Sequence, residues 1–171
     1  MQSIHIQYCK TKIGELMFGS YDGQICLMDY RYRRMRTTVD KRLQTGIEAD
    51  YIERDDAVID EAKKQFDEYL KAERRVFELP LLMVGTDFQK KVWNALLALP
   101  YGNTLSYLEL AERIENKSAV RAVASANGAN AMSVIIPCHR IIGSKGELTG
   151  YAGGLPVKKR LLNLESTGIP L

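Results

Sequence analysis

The apolar and polar positions fall into two textures along the chain. In the first thirty residues, Ile4–Cys9, Gly14–Ser20 and Gln24–Tyr30 are short runs rich in β-branched and aromatic residues, separated by Lys10–Lys12 and Tyr21–Gly23. This pattern predicts three strands joined by tight hairpins, with Asp22-Gly23 as a turn pair. The charge-dense Arg31–Arg36 (RYRRMR) reads as an edge strand or solvated loop, with a phosphate-binding patch as the alternative. Between Ala57 and Leu70, the residues Val58, Ile59, Ala62, Phe66, Tyr69 and Leu70 recur at the spacing of one helix face. Glu73–Gly85 contains Pro80 and has no clear period, which suits a linker. The division expected is a small strand-rich α/β subdomain over residues 1–80 and a mostly helical one over 81–171, an α+β protein.

Helical signals dominate the second texture. Thr86 or Asp87 can cap a helix carrying Phe88, Val92, Trp93, Leu96, Leu97 and Leu99 that stops before Pro100. Ser106 opens a helix over Tyr107–Ile114, and Ser118 is placed to cap another over Ala119–Asn127, with Gly128 just past its end. Two short helices across a tight turn match a helix-turn-helix. The later helix is nearly bare of bulk at Ala119, Ala122, Ala124, Ser125 and Ala126, with Arg121 in its first turn. It lacks the amide and basic side chains that read a major groove. Its thinness suits either a minor groove, with one long side chain to wedge into the stack, or close packing on a neighbouring helix.

Composition narrows the class. The chain has 171 residues and a net charge of +3, in the range of one domain or two small ones. Residues 1–80 carry a net −1 and residues 81–171 a net +4, a mild preference for an anionic partner in the second half. No purely apolar stretch, Val134–Pro137 included, approaches the roughly 20 residues needed to span a membrane. The opening MQSIHIQYCK lacks the pattern of a signal peptide, so an intracellular protein is expected. Cys9, Cys26 and Cys138 are too few and too odd in number for a disulfide framework. A zinc site could be assembled only from His5, Cys9 and Cys26 with a carboxylate; plain core cysteines are the default.

The chemistry concentrates in Val134–Gly143, where an apolar run delivers Cys138 and His139 after Pro137 and then resumes. The thiolate is the reactive form of cysteine, and an imidazole can take its proton. Adjacent side chains diverge on a strand or helix, so a bridging water suits proton transfer better than direct contact. By itself a Cys-His pair is a weak signal, and a core cysteine beside a chance histidine is the commoner case.

The stretches FQKKVWNAL, PYGNTLSYLELAERI, RAVASANGAN, IIPCHRIIG, GYAGG and KKRLLNLE follow one another over about residues 86–166. In order and spacing they resemble the O6-alkylguanine-DNA alkyltransferase family. The resemblance implies that Cys138 accepts the alkyl group, His139 is its water-mediated base and Glu165 orients that imidazole. It implies that Tyr107 assists the leaving guanine and meets a rotated phosphate. Arg121 would fill the gap left in the stack, and Asn130 would tie the helix-turn-helix to the active-site segment. Tyr151, Ala152 and Gly153 would wall the base pocket with Lys158 behind it, and Pro137 and Ile141, flanking the cysteine, belong to the same pocket. Asn116 and Ser144 would contact DNA, with Ala119 and Ala122 on the approaching helix.

Two positions depart from some members: Leu108 replaces a polar DNA-contacting residue, and Ala152 stands where others have serine. The zinc ligands of some animal members have no clear match, so no metal and no cofactor are expected. The implied activity is single, irreversible transfer of an alkyl group from O6-alkylguanine (and O4-alkylthymine) in double-stranded DNA, after base flipping from the minor-groove side. A monomer with no obligate protein partner and no membrane association goes with it. A cysteine hydrolase using Cys138, His139 and Glu165 is the rival enzyme, although such enzymes usually bring the base from a distant segment. A DNA-binding module that senses damage without repair is the other rival, but such relatives replace the cysteine.

Overall fold

The computed structural model describes residues 2–171. Its first three strands, β1 (Ile4–Thr11), β2 (Gly14–Tyr21) and β3 (Gln24–Tyr30), form an antiparallel meander. Asp22 and Gly23 both adopt positive φ, 49° and 76°, the hairpin geometry whose twist matches the flanking strands. After helix α1 (Arg36–Ile47), a short β4 (Tyr51–Glu53) joins the free edge of β1 in parallel, giving the order β3-β2-β1-β4. Helix α2 (Ala57–Leu70) follows, with Asp56 capping it through a 2.9 Å bond from Val58 N.

The sheet is covered on both faces. Val39 and Leu43 of α1 pack with Ile4, Ile6, Met17, Cys26 and Leu27. On the other face Ile59, Ala62, Phe66, Tyr69 and Leu70 of α2 join Leu16, Phe18, Ile25 and Met28. The Arg31–Arg36 stretch, expected as an edge strand or solvated loop, is instead a turn that leads into α1, with Arg36 as its first residue. Only Val39 and Leu43 of α1 are buried, so its sequence has little helical period to betray it.

In the second half α3 (Asp87–Leu97) begins with a capping box between Thr86 and Gln89, and α4 (Tyr107–Arg113) with one between Ser106 and Glu109. Helix α5 (Val120–Gly128) differs from expectation at both ends. Its N-cap is Ala119 without a side-chain bond, because Ser118 Oγ turns to Asn116 Oδ1 at 3.3 Å. Gly128 is the last helical residue rather than the stop beyond it. A two-residue β5 (Leu105–Ser106) pairs in parallel with β6 (Ile141–Ile142), and α6 (Leu155–Thr167) ends at Gly168, with φ 69°. No helix among the described residues is long and apolar enough to cross a membrane.

The outer edge of β3 joins the two halves. Met28 N donates to Ala131 O at 2.9 Å and Ser133 N to Met28 O at 2.7 Å, while Ile25 exchanges 2.8 Å bonds with Pro80 O and Leu82 N. A sheet edge that would otherwise invite intermolecular pairing is thereby covered. The larger core cluster likewise draws residues from both halves, from Ile13 to Leu164. Side chains of β3 and α2 thus reach the segment that carries Cys138.

Candidate active site

The chain from Ala131 to Arg140 is buried throughout and mostly irregular, so its backbone polar groups need fixed partners. Asn130 supplies several: its Nδ2 donates to Ile136 O at 2.8 Å and to Met132 O at 3.4 Å, and its Oδ1 accepts Met132 N at 2.9 Å. Val134 is held at φ 72°, costly for a β-branched residue and affordable only where the surroundings over-determine it. Cys138–Arg140 then forms a single 3-10 turn. Cys138 is only 5 % exposed, yet it lines a cavity of about 300 Å³ with Tyr107, Asn127, Asn130, Tyr151 and Ala152. That is the lower end of the range for ligand pockets.

A carboxylate network lies behind the cysteine. His139, fully buried, pairs through Nε2 with Glu165 Oε2 at 2.6 Å. Arg140 grips the same carboxylate through Nε to Oε1 at 2.7 Å and Nη2 to Oε2 at 3.1 Å, and Nη1 reaches Leu99 O at 2.7 Å. Gly102 N adds a 3.1 Å bond to Oε1 and Tyr69 Oη a 2.5 Å bond to Oε2. Burial opposes the charge on Glu165, but His139 and Arg140 outweigh it and hold the carboxyl well below the usual range. An anionic partner fixes the tautomer: Nε2 carries the proton, and Nδ1, buried with no hydrogen-bond partner among the described residues, holds the lone pair. Burial pushes the imidazole pKa down despite Glu165, so the ring is a neutral base. Burial pushes the Cys138 thiol up, with partial relief from the Asn130 side chain, so the resting group is S–H.

The structure sorts the expected site residues into three places. Tyr107, Tyr151 and Ala152 line the cavity beside Cys138; Tyr107 Oη accepts a 3.1 Å bond from Thr149 Oγ1, which leaves its own proton to donate. Gly153, Ile141 and Pro137, expected in the pocket, do not line the cavity, and Lys158 stands behind it. Lys158 is buried with Nζ bonded to Ile141 O at 2.5 Å and Thr149 O at 2.7 Å, which ties the 149–152 loop to β6. A Cβ on Gly153 would fall 2.5 Å from the Tyr30 ring, whose hydroxyl meets that of Tyr151 at 2.8 Å. Arg121, Ala122, Asn116 and Ser144 are exposed outside the cavity and Ala119 is half-buried. Helix α5 divides its small residues, burying Val123 and Ala126 near α3, where Trp93 Nε1 donates to Ala126 O at 2.9 Å, and turning Arg121, Ala122 and Ser125 outward.

Other participants escaped the sequence reading. Arg33 of the RYRRMR stretch is buried: Nη1 pairs with Asp29 Oδ2 at 3.0 Å and reaches Asn130 O at 3.2 Å, and Nη2 meets Gly128 O at 2.6 Å. Asp29 also takes Arg36 Nη1 at 3.1 Å and Ser133 Oγ at 3.2 Å. Both arginines are thus bound internally, while Arg34 and Met35 face the cavity mouth. Arg140 stood in the PCHR motif and could have been suspected there. Tyr30 and Tyr69 had no local signal, since their partners lie about a hundred residues away, as do the Asn130 and Gly128 carbonyls that Arg33 reaches besides its near neighbour Asp29. His5, one candidate zinc ligand, bonds Asp56 at 2.7 Å, Cys26 is sealed in β3, and the described residues contain no cluster of three metal-ligating groups.

A buried cysteine opening on a base-sized cavity, backed by a histidine–glutamate pair and flanked by a helix-turn-helix, defines a nucleophile presented beside a nucleic-acid-binding motif. Comparison with known proteins agrees. The family described as 6-O-methylguanine DNA methyltransferase, DNA binding domain, matches residues 87–167. The methylated-DNA–protein-cysteine methyltransferase of Methanosarcina acetivorans is 50% identical over 107 residues, covering 63% of this chain and 69% of the relative. That of Methanosarcina barkeri is 47% identical over 129 residues, 75% and 80%. The crystal structure of Mycobacterium tuberculosis OGT in complex with DNA superposes with a TM-score of 0.84 at 36% identity, covering 97% of this chain and 95% of that one. The chain belongs to the methylated-DNA–protein-cysteine methyltransferase family.

Proposed function

We propose that this protein repairs DNA by moving the alkyl group of O6-alkylguanine (and O4-alkylthymine) irreversibly onto Cys138, once per molecule. The observation that carries the reading is the sulfur of Cys138 facing a cavity of base size, with a neutral His139 and an ionised Glu165 directly behind it. An alkyl carbon on O6 inside a stacked duplex cannot reach that sulfur, so the nucleotide must rotate out at a cost of a few kcal/mol. Arg121, exposed on the first turn of α5, is the side chain suited to fill the gap. Asn116, Ser144, Ala119 and Ala122 share the outer surface from which the duplex would be held, largely through phosphates.

Within the cavity the Cys138 proton passes, through a solvent molecule, to the lone pair on His139 Nδ1, and Glu165 stabilises the imidazolium. The thiolate attacks the alkyl carbon in line. The S–C bond forms as the C–O6 bond breaks, and the bonding pair returns to the guanine ring, which gains a proton at N3 from Tyr107. The product thioether is inert to hydrolysis, which ends activity after one equivalent. The protein works as an intracellular monomer with access to DNA. Intact-mass spectrometry after incubation with an O6-methylguanine oligonucleotide tests this: one added methyl on the Cys138 peptide is expected, and none with Cys138→Ala. Repeated turnover without mass gain would point to a hydrolase instead.

A further inference from the structure

One donor to the Glu165 carboxylate comes from the other half of the chain. Tyr69, near the end of α2, gives its phenolic O–H to Oε2, the oxygen that also accepts His139 Nε2–H. The ring is 1 % exposed and fixed by Phe66, Phe77 and Tyr101, with centroids 6.5, 5.6 and 6.2 Å away. Phenylalanine would fill that space equally well; the hydroxyl has a single strong partner and it is this oxygen. Burial, reinforced by the neighbouring carboxylate, keeps the phenol protonated, so it is the donor to the ionised Oε2.

We propose that Tyr69 is a positioning residue for alkyl transfer: its O–H fixes the Glu165 carboxylate and takes up part of the acceptor strength that His139 would otherwise receive. This rests on reading His139 as the base for Cys138. When two donors share an oxygen, removing one strengthens the bond that the other makes. A stronger Nε2–H···Oε2 bond raises the proton affinity of Nδ1. The remaining groups around the pair are accounted for. Arg140 and Gly102 N hold Oε1, Arg140 also touches Oε2, Tyr101 lies under Arg140 and Arg75, and Lys158 of α6 acts on the ring from a distance. Without the phenol, Oε2 keeps His139 Nε2–H at 2.6 Å and Arg140 Nη2 at 3.1 Å as its donors. The N-terminal half thereby sets the strength of a base that the C-terminal half carries.

The test compares wild type with Tyr69→Phe. The chain has two histidines, and His5→Asn assigns the ring N–H resonances of 15N-labelled protein. Tyr69→Phe should move the His139 Nε2–H proton downfield. The acid limb of the single-turnover pH profile should rise by about half a unit, roughly a threefold loss of rate at a pH on that limb with the plateau retained. An unmoved or upfield resonance, or a profile that only scales down, overturns the proposal. Should Tyr69→Phe fail to fold, wild type still decides: the Tyr69 O–H and His139 Nε2–H protons on one oxygen must show a mutual Overhauser effect, and its absence refutes the pairing. Wild type without any transfer to Cys138 would defeat the functional reading itself, whereas the resonances report the Tyr69 contact either way.

Discussion

Arg140→Met tests whether the network behind Cys138 is electrostatic in origin. Methionine keeps much of the aliphatic stem but removes both bonds to Glu165 and the 2.7 Å bond to Leu99 O. Removing one partner of a buried ion pair costs about 3–5 kcal/mol, because the other charge stays behind uncompensated. In a chain of this length each kcal/mol moves the melting temperature by about 2–4 °C, so a fall of roughly 6–20 °C is expected. The pH dependence supplies a sharper check. Glu165 has a depressed folded pKa, so its contribution is fully present above its unfolded value of about 4.3 and is lost as pH falls towards the folded one. Thermal or urea unfolding should therefore show the widest gap between wild type and variant near pH 7, narrowing below about pH 4. A loss under 1 kcal/mol at pH 7, or a gap of constant size into acid, would refute the argument.

Other outcomes follow from named contacts. Arg121→Ala should slow repair in duplex DNA far more than reaction with free O6-benzylguanine, measured as single-turnover rates on both; equal slowing would remove its role in holding the extruded state. Gly153→Ala forces a Cβ against the Tyr30 ring, an overpacking cost of about 1–3 kcal/mol, and should disturb the Tyr30–Tyr151 pair and slow transfer. Unchanged stability and rate would show that the loop yields freely. DNA affinity should fall linearly with salt on a log–log plot, and a flat response would argue against phosphate contacts.

Much of this was legible in the chain. Hairpin turns at Asp22-Gly23, the α2 face from Val58 to Leu70, and the caps at Thr86 and Ser106 are local decisions that propensity and short-range hydrogen bonds settle. The ordered motifs from FQKKVWNAL to KKRLLNLE brought Cys138, His139, Glu165 and Tyr107 forward together. Helix α1 stayed hidden because a helix with two buried residues carries almost no periodicity. Ser118 misled because a good capping residue has a competing partner, Asn116, that spacing does not reveal.

Sequence alone determined the first three strands, the starts of α2, α3 and α4 and the types of reactive group, since each depends on neighbours within a few residues. Only the tertiary structure decided which groups share a charge. It sent Arg33 to Asp29 rather than outward to phosphate, gave the Lys158 ammonium the carbonyls of Ile141 and Thr149 as partners, and carried Tyr69 across the molecule to Glu165. Buried polar atoms must find partners wherever the fold brings them, and the partner chosen is a property of packing in space rather than of order along the chain.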